Sequence, residues 1–182
     1  MLSSREIREL AMRGELIEGY IDLDVQVQPC GFDLSLGSVE AFLEPGSVDF
    51  TNLERRLPPT FALEPDPEGW FNLSMGSYLV VYNEVVKLPL NIAAMARPRS
   101  TLLRCGATLE TALWDPGYRG RSSSLLVVYN PKGIRLKRGA RIAQLIFFRV
   151  EGAGEGYRGI YQMERLERKP YLGNPGGGEY TI

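Results

Sequence analysis

Residues 111–129 read TALWDPGYRGRSSSLLVVY. Within them, Asp115-Pro116-Gly117-Tyr118 places proline second and glycine third in a four-residue turn. That order is a type II signature, because proline presets its own φ and glycine accepts the positive φ that follows. Immediately downstream, Ser124–Tyr129 (SLLVVY) is an apolar run rich in β-formers, and Ile142–Val150 (IAQLIFFRV) is another. Both are long enough for buried strands. Between them, Asn130-Pro131-Lys132-Gly133 has proline second and glycine fourth, which fits a type I turn.

Working outward, the same texture continues upstream. Phe32, Leu34 and Leu36 alternate with polar or small residues; Val39, Phe42, Phe71, Leu73 and Met75 are strand-like, and Tyr78–Val85 and Ile92–Ala96 read as further strands. Segment 101–109 reads as a short helix or an irregular turn, and the proline-rich stretch 55–70 as a surface loop or edge excursion. Ser3 followed by Glu6 forms a capping box, with Ile7, Leu10 and Ala11 on one face and Gly14 as a stop, so one short helix is predicted over residues 4–13. Twenty glycines and twelve prolines in 182 residues favour many short strands over long helices. The fold class is all-β: a distorted β-barrel or jelly-roll-like sandwich with a short N-terminal helix. Residues 1–168 are read as one domain, and the glycine-rich 169–182 (KPYLGNPGGGEYTI) as a tail or flap.

Composition excludes several chemistries. The chain has no histidine. Ser-His-Asp and Cys-His nucleophile systems, the usual zinc sites and zinc-dependent base deamination are therefore excluded. Acid–base work falls to carboxylates, Tyr, Cys or Lys. The only cysteines, Cys30 and Cys105, form no CxxC motif or disulfide framework and are expected to be small buried hydrophobes. The opening MLSSREIREL lacks the pattern of a signal peptide, and no apolar run approaches the roughly 18 residues that span a bilayer. A reducing, cytoplasmic location is expected, with no membrane partner.

Net charge is only −1, but its layout is uneven. Residues 97–150 carry eleven basic side chains and two acidic ones, Glu110 and Asp115. A solvated basic face is the bland reading. The functional reading is a polyanion site, since arginine donates two hydrogen bonds at once to phosphate. Apolar strand-like runs interrupt the basic stretch, so a compact triphosphate matches it better than stable nucleic acid does.

Four segments carry chemistry in order: QPCGFDLSL (28–36), RPRSTLLRCG (97–106), TALWDPGYRG (111–120) and GARIAQL (139–145). Their order and spacing resemble the dUTPase and dCTP deaminase superfamily, in particular the archaeal-type dUTPases of its dCTP deaminase-like branch. The N-terminal LSSREIREL and the strand FNLSMGSYLVV (71–81) also resemble that branch, and the likeness covers about residues 2–150. The resemblance implies a homotrimer with active sites shared between subunits, dUTP as ligand and Mg2+ as cofactor. It implies that Arg99 and Ser100 bind phosphate, with Arg104 alongside; Thr101 and Thr111, in the same motifs, are expected to contact substrate. Asp115 matches the carboxylate that contacts the sugar 3′-hydroxyl and orients water. Tyr118 matches the aromatic that packs under deoxyribose, and Gln144 the glutamine that faces phosphate. Asp33 matches a position either near the metal's water shell or purely structural. Tyr161 and Gln162 resemble a deaminase-type lid, although Ile160 replaces its phosphate-binding lysine. Each residue has a structural rival: a turn cap for Ser100, a core ring for Tyr118, a buried amide for Gln144.

The deaminase branch uses a glutamate about ten residues beyond the hairpin aspartate. Here the equivalent is Leu125 or Val127, and no Asp or Glu occurs from 116 to 150. Proton transfer to a leaving amine has no donor there, so hydrolysis of dUTP to dUMP and pyrophosphate is expected. The alternatives are a dCTP deaminase or bifunctional enzyme, and a non-catalytic nucleotide-binding regulatory trimer with no need of Asp115. The interval from Asp115 to Asn130 is about two residues longer than in the family, which predicts a bulge there. Deleting residues 169–182 is expected to lower turnover while leaving the assembly intact; an unchanged rate in the truncated protein rules that flap out.

Overall fold

The structure is a computed structural model and describes residues 1–152 and 154–167. The predicted tail or flap at 169–182 lies outside the described residues. In chain order the elements are α1 (Ser4–Met12), β1 (Ile17–Glu18), α2 (Leu23–Gln26), β2 (Val27–Gln28), β3 (Gly31–Phe42), β4 (Thr60–Ala62), β5 (Trp70–Leu73), β6 (Gly76–Tyr82) and β7 (Val85–Lys87). They continue as β8 (Ile92–Pro98), α3 (Ser100–Arg104), β9 (Ala107–Glu110), β10 (Arg119–Gly120), β11 (Ser123–Val128), β12 (Ile134–Lys137) and β13 (Arg141–Arg149). All strand pairings are antiparallel. The main sheet runs β8-β13-β3-β6-β11-β9, and its end strands β8 and β9 lie against each other, so it nearly closes into a barrel. Two smaller sheets, β1-β7-β10 and β12-β5, complete the all-β body.

The period of two explains the core. In β3, Phe32, Leu34 and Leu36 face inward and are fully buried, joined by Leu145 and Phe147 of β13 and Val80 of β6. Each such side chain contributes about 1.5–3 kcal/mol on leaving water. In β11, Leu126 and Val128 point to the core while Leu125 and Val127 are half-buried on the other face. Helix α1 carries the predicted reciprocal cap: the Ser3 hydroxyl accepts from Glu6 N, and the Glu6 carboxylate accepts from Ser3 N. Its Ile7 and Ala11 are buried.

Sequence and structure differ in three places. Segment 101–109 is both a helix and a strand, because Gly106 ends α3 and the apolar alternation of Ala107 and Leu109 then pairs with β11. The short helix α2 was not visible in the sequence; Asp22 caps it by accepting from Asp24 N and Val25 N. The extra residues after Asp115 form no bulge in β11, whose pairing with β6 runs unshifted from Ser123 to Val128. The register shifts fall instead in β3 and β13.

The face of β3 opposite the apolar residues carries Asp33 and Ser35, both buried. Ser35 meets Glu84, which is fully buried and accepts from Ser35 N (2.8 Å), Ser35 Oγ and Gln26 Nε2 (2.7 Å). Burial pushes the Glu84 carboxyl above the ordinary range, and these donors oppose that shift. Gln26 also accepts from Ile21 N and Asp22 N, so one carboxylate ties the N-terminal segment to the barrel. Glu84→Ala strands these donors and is expected to lower stability by about 3 kcal/mol in urea denaturation. A loss under about 1 kcal/mol contradicts this anchoring role.

Candidate active site

The 115–118 turn forms as its chemistry dictates. Tyr118 N donates to Asp115 O (3.1 Å), and Gly117 takes φ 81°. The turn is docked on the residues after β7: Gly117 N donates to Leu88 O (3.2 Å) and Leu88 N to Tyr118 O (2.8 Å). Trp114, just before it, is bridged to Ala94 of β8, and its indole N–H donates to Ser122 Oγ (2.9 Å). These bonds hold the residues at the two ends of the turn, which differ in exposure. Asp115 is exposed, and its carboxylate has no hydrogen bond or ion pair to any described residue. Tyr118 is 5% exposed. Both line one cavity of about 380 Å³, together with Trp114, Ser122 and Ser123. That volume suits a small ligand.

The phosphate-type residues lie elsewhere on the chain. Arg99 caps α3 with its backbone, and Ser100, Thr101 and Arg104 are exposed on that helix. Gln144 is half-buried on β13, opposite Asp33 of β3 and Arg97 of β8. Asp33 is 1% exposed. Its Oδ2 is shared by Arg99 Nε and Arg141 Nη1, each at 3.2 Å. Burial raises the Asp33 pKa, and the two guanidiniums oppose the shift. Asp33 thus orients Arg99 directly. None of Arg99, Ser100, Thr101, Arg104 or Gln144 lines the cavity holding Asp115. Thr111 does not line it either; its hydroxyl donates to Ala96 O (3.2 Å). Within a single chain, Asp115 and Tyr118 line this cavity and the arginine cluster does not.

The segment 157–165 is the part of the site that sequence reasoning saw least. Tyr161 lines the cavity, as do Tyr157, Glu164 and Arg165. Gln162 does not; its amide donates to Gly117 O (2.9 Å) and Tyr157 O (3.2 Å) and accepts from Arg119 N (2.7 Å). It fastens the segment to the hairpin. Glu164 brings a second carboxylate into the cavity, accepting from the Tyr118 hydroxyl (2.8 Å) and pairing with Arg165 (2.8 Å). The only sequence signal was the lid-like Tyr161-Gln162, two residues short of Glu164.

Cys30 and Cys105, expected to be buried, are both exposed. Cys30 sits between β2 and β3 and Cys105 at the end of α3, where the backbone turns away from the core. Among the described residues, no group of three or more Cys, Asp or Glu side chains is placed to hold a metal ion. Asp33 is buried and its Oδ2 is already held by two guanidiniums, so it offers no open carboxylate oxygen there to a hard cation. Among the described residues no helix is long and apolar enough to cross a membrane.

Residues 1–150 match the model of the dCTP deaminase-like family. A protein of Methanosarcina barkeri named "Probable deoxyuridine 5'-triphosphate nucleotidohydrolase" is 52% identical over 169 residues, covering 92% of this chain and 99% of that protein. Its namesake in Methanosarcina mazei is 50% identical over 166 residues, covering 90% and 97%. The crystal structure of 2'-deoxycytidine 5'-triphosphate deaminase from Agrobacterium tumefaciens superposes with a TM-score of 0.59 at 27% identity, covering 82% of this chain. The chain spans about half of that deaminase, 47% of its length. With the family model spanning most of its length and relatives this similar end to end, the chain belongs to the dCTP deaminase-like family.

Proposed function

We infer that this protein is a dUTP nucleotidohydrolase, releasing dUMP and pyrophosphate. One observation carries the reading: Asp115 is the carboxylate that opens unpaired into the cavity beside Tyr118. A base with no partner of its own is available to hold the attacking water, whereas Glu164 is engaged by Tyr118 and Arg165. Leu125 or Val127, according to register, matches the place of the deaminase acid, and no Asp or Glu occurs from 116 to 150, which favours hydrolysis over deamination. The names of the Methanosarcina relatives point to the same substrate.

In this reading Tyr118 packs under the deoxyribose and Asp115 holds the 3′-hydroxyl and the water. Phosphoryl transfer is catalysed mainly by positioning and by neutralising charge. Arg99, oriented by Asp33, and Arg104, Ser100, Thr101 and Gln144 supply the donors for the triphosphate. Mg2+ bound by the nucleotide adds positive charge at the phosphates. That the arginine-side residues do not line the Asp115 cavity supports a site completed between copies, in a homotrimer. Exposed apolar side chains lining the Asp115 cavity, Phe42, Leu57 and Leu113, fit coverage by a neighbouring copy. Two exposed thiols suit the reducing cytoplasm.

The direct assay incubates the protein and Mg2+ with dUTP, dCTP, dTTP and UTP and separates the products. dUMP and pyrophosphate from dUTP are expected; dUTP or dUMP formed from dCTP overturns hydrolysis as the sole activity. Asp115→Asn is expected to lower turnover at least about a hundredfold while still binding dUTP. Turnover that survives this change contradicts the role of Asp115. Mixing Asp115→Asn chains with Arg99→Ala chains is expected to restore activity lost in each alone, and failure to complement after verified subunit exchange contradicts a shared site.

A further inference from the structure

The segment carrying Tyr157 and Glu164 is zipped along the hairpin by backbone bonds. Met163 N donates to Arg119 O (2.7 Å) and Arg121 N to Glu164 O (2.9 Å), while the Gln162 amide closes on Gly117 O and Arg119 N. Glu164 is flanked by two non-glycine residues with left-handed backbone, Met163 (φ 64°) and Arg165 (φ 53°). Such conformations are unfavourable and persist where the surroundings specify them. What they deliver is the Glu164 carboxylate at the Tyr118 hydroxyl.

Tyr118 is held by two residues of this segment. Its hydroxyl is fixed by Glu164, and the Tyr157 ring meets it edge-on at 5.6 Å between centroids. Gly120 leaves the space the ring needs: a Cβ there would lie 2.6 Å from the Tyr118 hydroxyl and 3.0 Å from Glu164 Cγ. Arg165 holds the Glu164 carboxylate from the other side and reaches Ser123 Oγ (3.4 Å) on the cavity wall. Burial pushes the Tyr118 hydroxyl well above its ordinary range, so it remains a hydrogen-bond donor at neutral pH.

We propose that Glu164 is a specificity-determining positioning residue: by holding the Tyr118 hydroxyl, it makes the enzyme reject a ribose in favour of a deoxyribose. The proposal rests on the reading of Tyr118 as the platform under the sugar. A ring excludes an added 2′-hydroxyl only while it is unable to recede, because an apolar contact that yields by a fraction of an ångström discriminates poorly. The hydrogen bond to Glu164 and the Tyr157 contact remove that freedom. Rejection of ribonucleotide is thereby a property of the closed 157–165 segment and not of the hairpin alone.

The test measures kcat/KM for dUTP and for UTP with the full-length protein and its Glu164→Ala, Glu164→Gln and Tyr118→Phe variants. Glu164→Ala is expected to reduce the dUTP-to-UTP ratio by about tenfold or more, chiefly by raising kcat/KM for UTP. Glu164→Gln keeps an oxygen to accept from Tyr118 and is expected to retain most of the ratio. Tyr118→Phe removes only the hydroxyl and is expected to lose discrimination like Glu164→Ala; it decides the matter if the alanine variant does not fold. Equal loss with both nucleotides, the ratio unchanged, shows a merely structural Glu164 and overturns the proposal. A wild-type protein that hydrolyses dUTP and UTP equally well overturns the sugar-platform reading itself.

Discussion

The left-handed backbone of Gly117 is the constraint on which the site depends. Because Gly117 takes a positive φ after the fixed φ of Pro116, the chain reverses within four residues and sends Asp115 and Tyr118 in different directions. One side chain faces the open cavity with its carboxylate unpaired; the other is buried beneath it. Neither orientation is free-standing. The turn is docked on Leu88, Trp114 is tied to Ala94 and Ser122, and Gln162 fills the hairpin's outer hydrogen-bonding groups. The barrel thus serves as a rigid mount for a short loop, which is how scaffolds usually present functional residues.

The second organising element is β3, where alternation does two jobs at once. Its apolar side builds the core, and its polar side places two buried side chains, Asp33 and Ser35, where each meets a specific partner. Asp33 collects Arg99 and Arg141, drawing motifs that are far apart in sequence into one basic cluster. Ser35 and Gln26 satisfy Glu84. A buried carboxylate left without such donors is strongly destabilising, so both pairings are demanded by the interior as much as by function.

Much of this was legible in the sequence because it follows from local rules. Pro116-Gly117 fixed the turn type, the alternation of Phe32, Leu34 and Leu36 fixed the inward face of β3, and Ser3 with Glu6 fixed the start of α1. What escaped was set by contacts distant along the chain. Glu164 reaches Tyr118 across 46 residues, through a segment with no strand-like period, and no local pattern announces it. The exposure of Cys30 and Cys105 depends on where the backbone leaves the core, and the register shifts lie in β3 and β13, away from the motif whose length suggested one.

In the proposed shared site, Asp115 of one copy and Arg99 of another act on the same nucleotide. A crystal structure of the protein with Mg2+ and a dUTP analogue whose α,β-bridging oxygen is replaced by an imido group tests it most directly. The account predicts the sugar over Tyr118, the Asp115 carboxylate at the 3′-hydroxyl, and Arg99 from a neighbouring copy on the triphosphate. A nucleotide held entirely by one copy, or bound away from the Asp115 cavity, contradicts it.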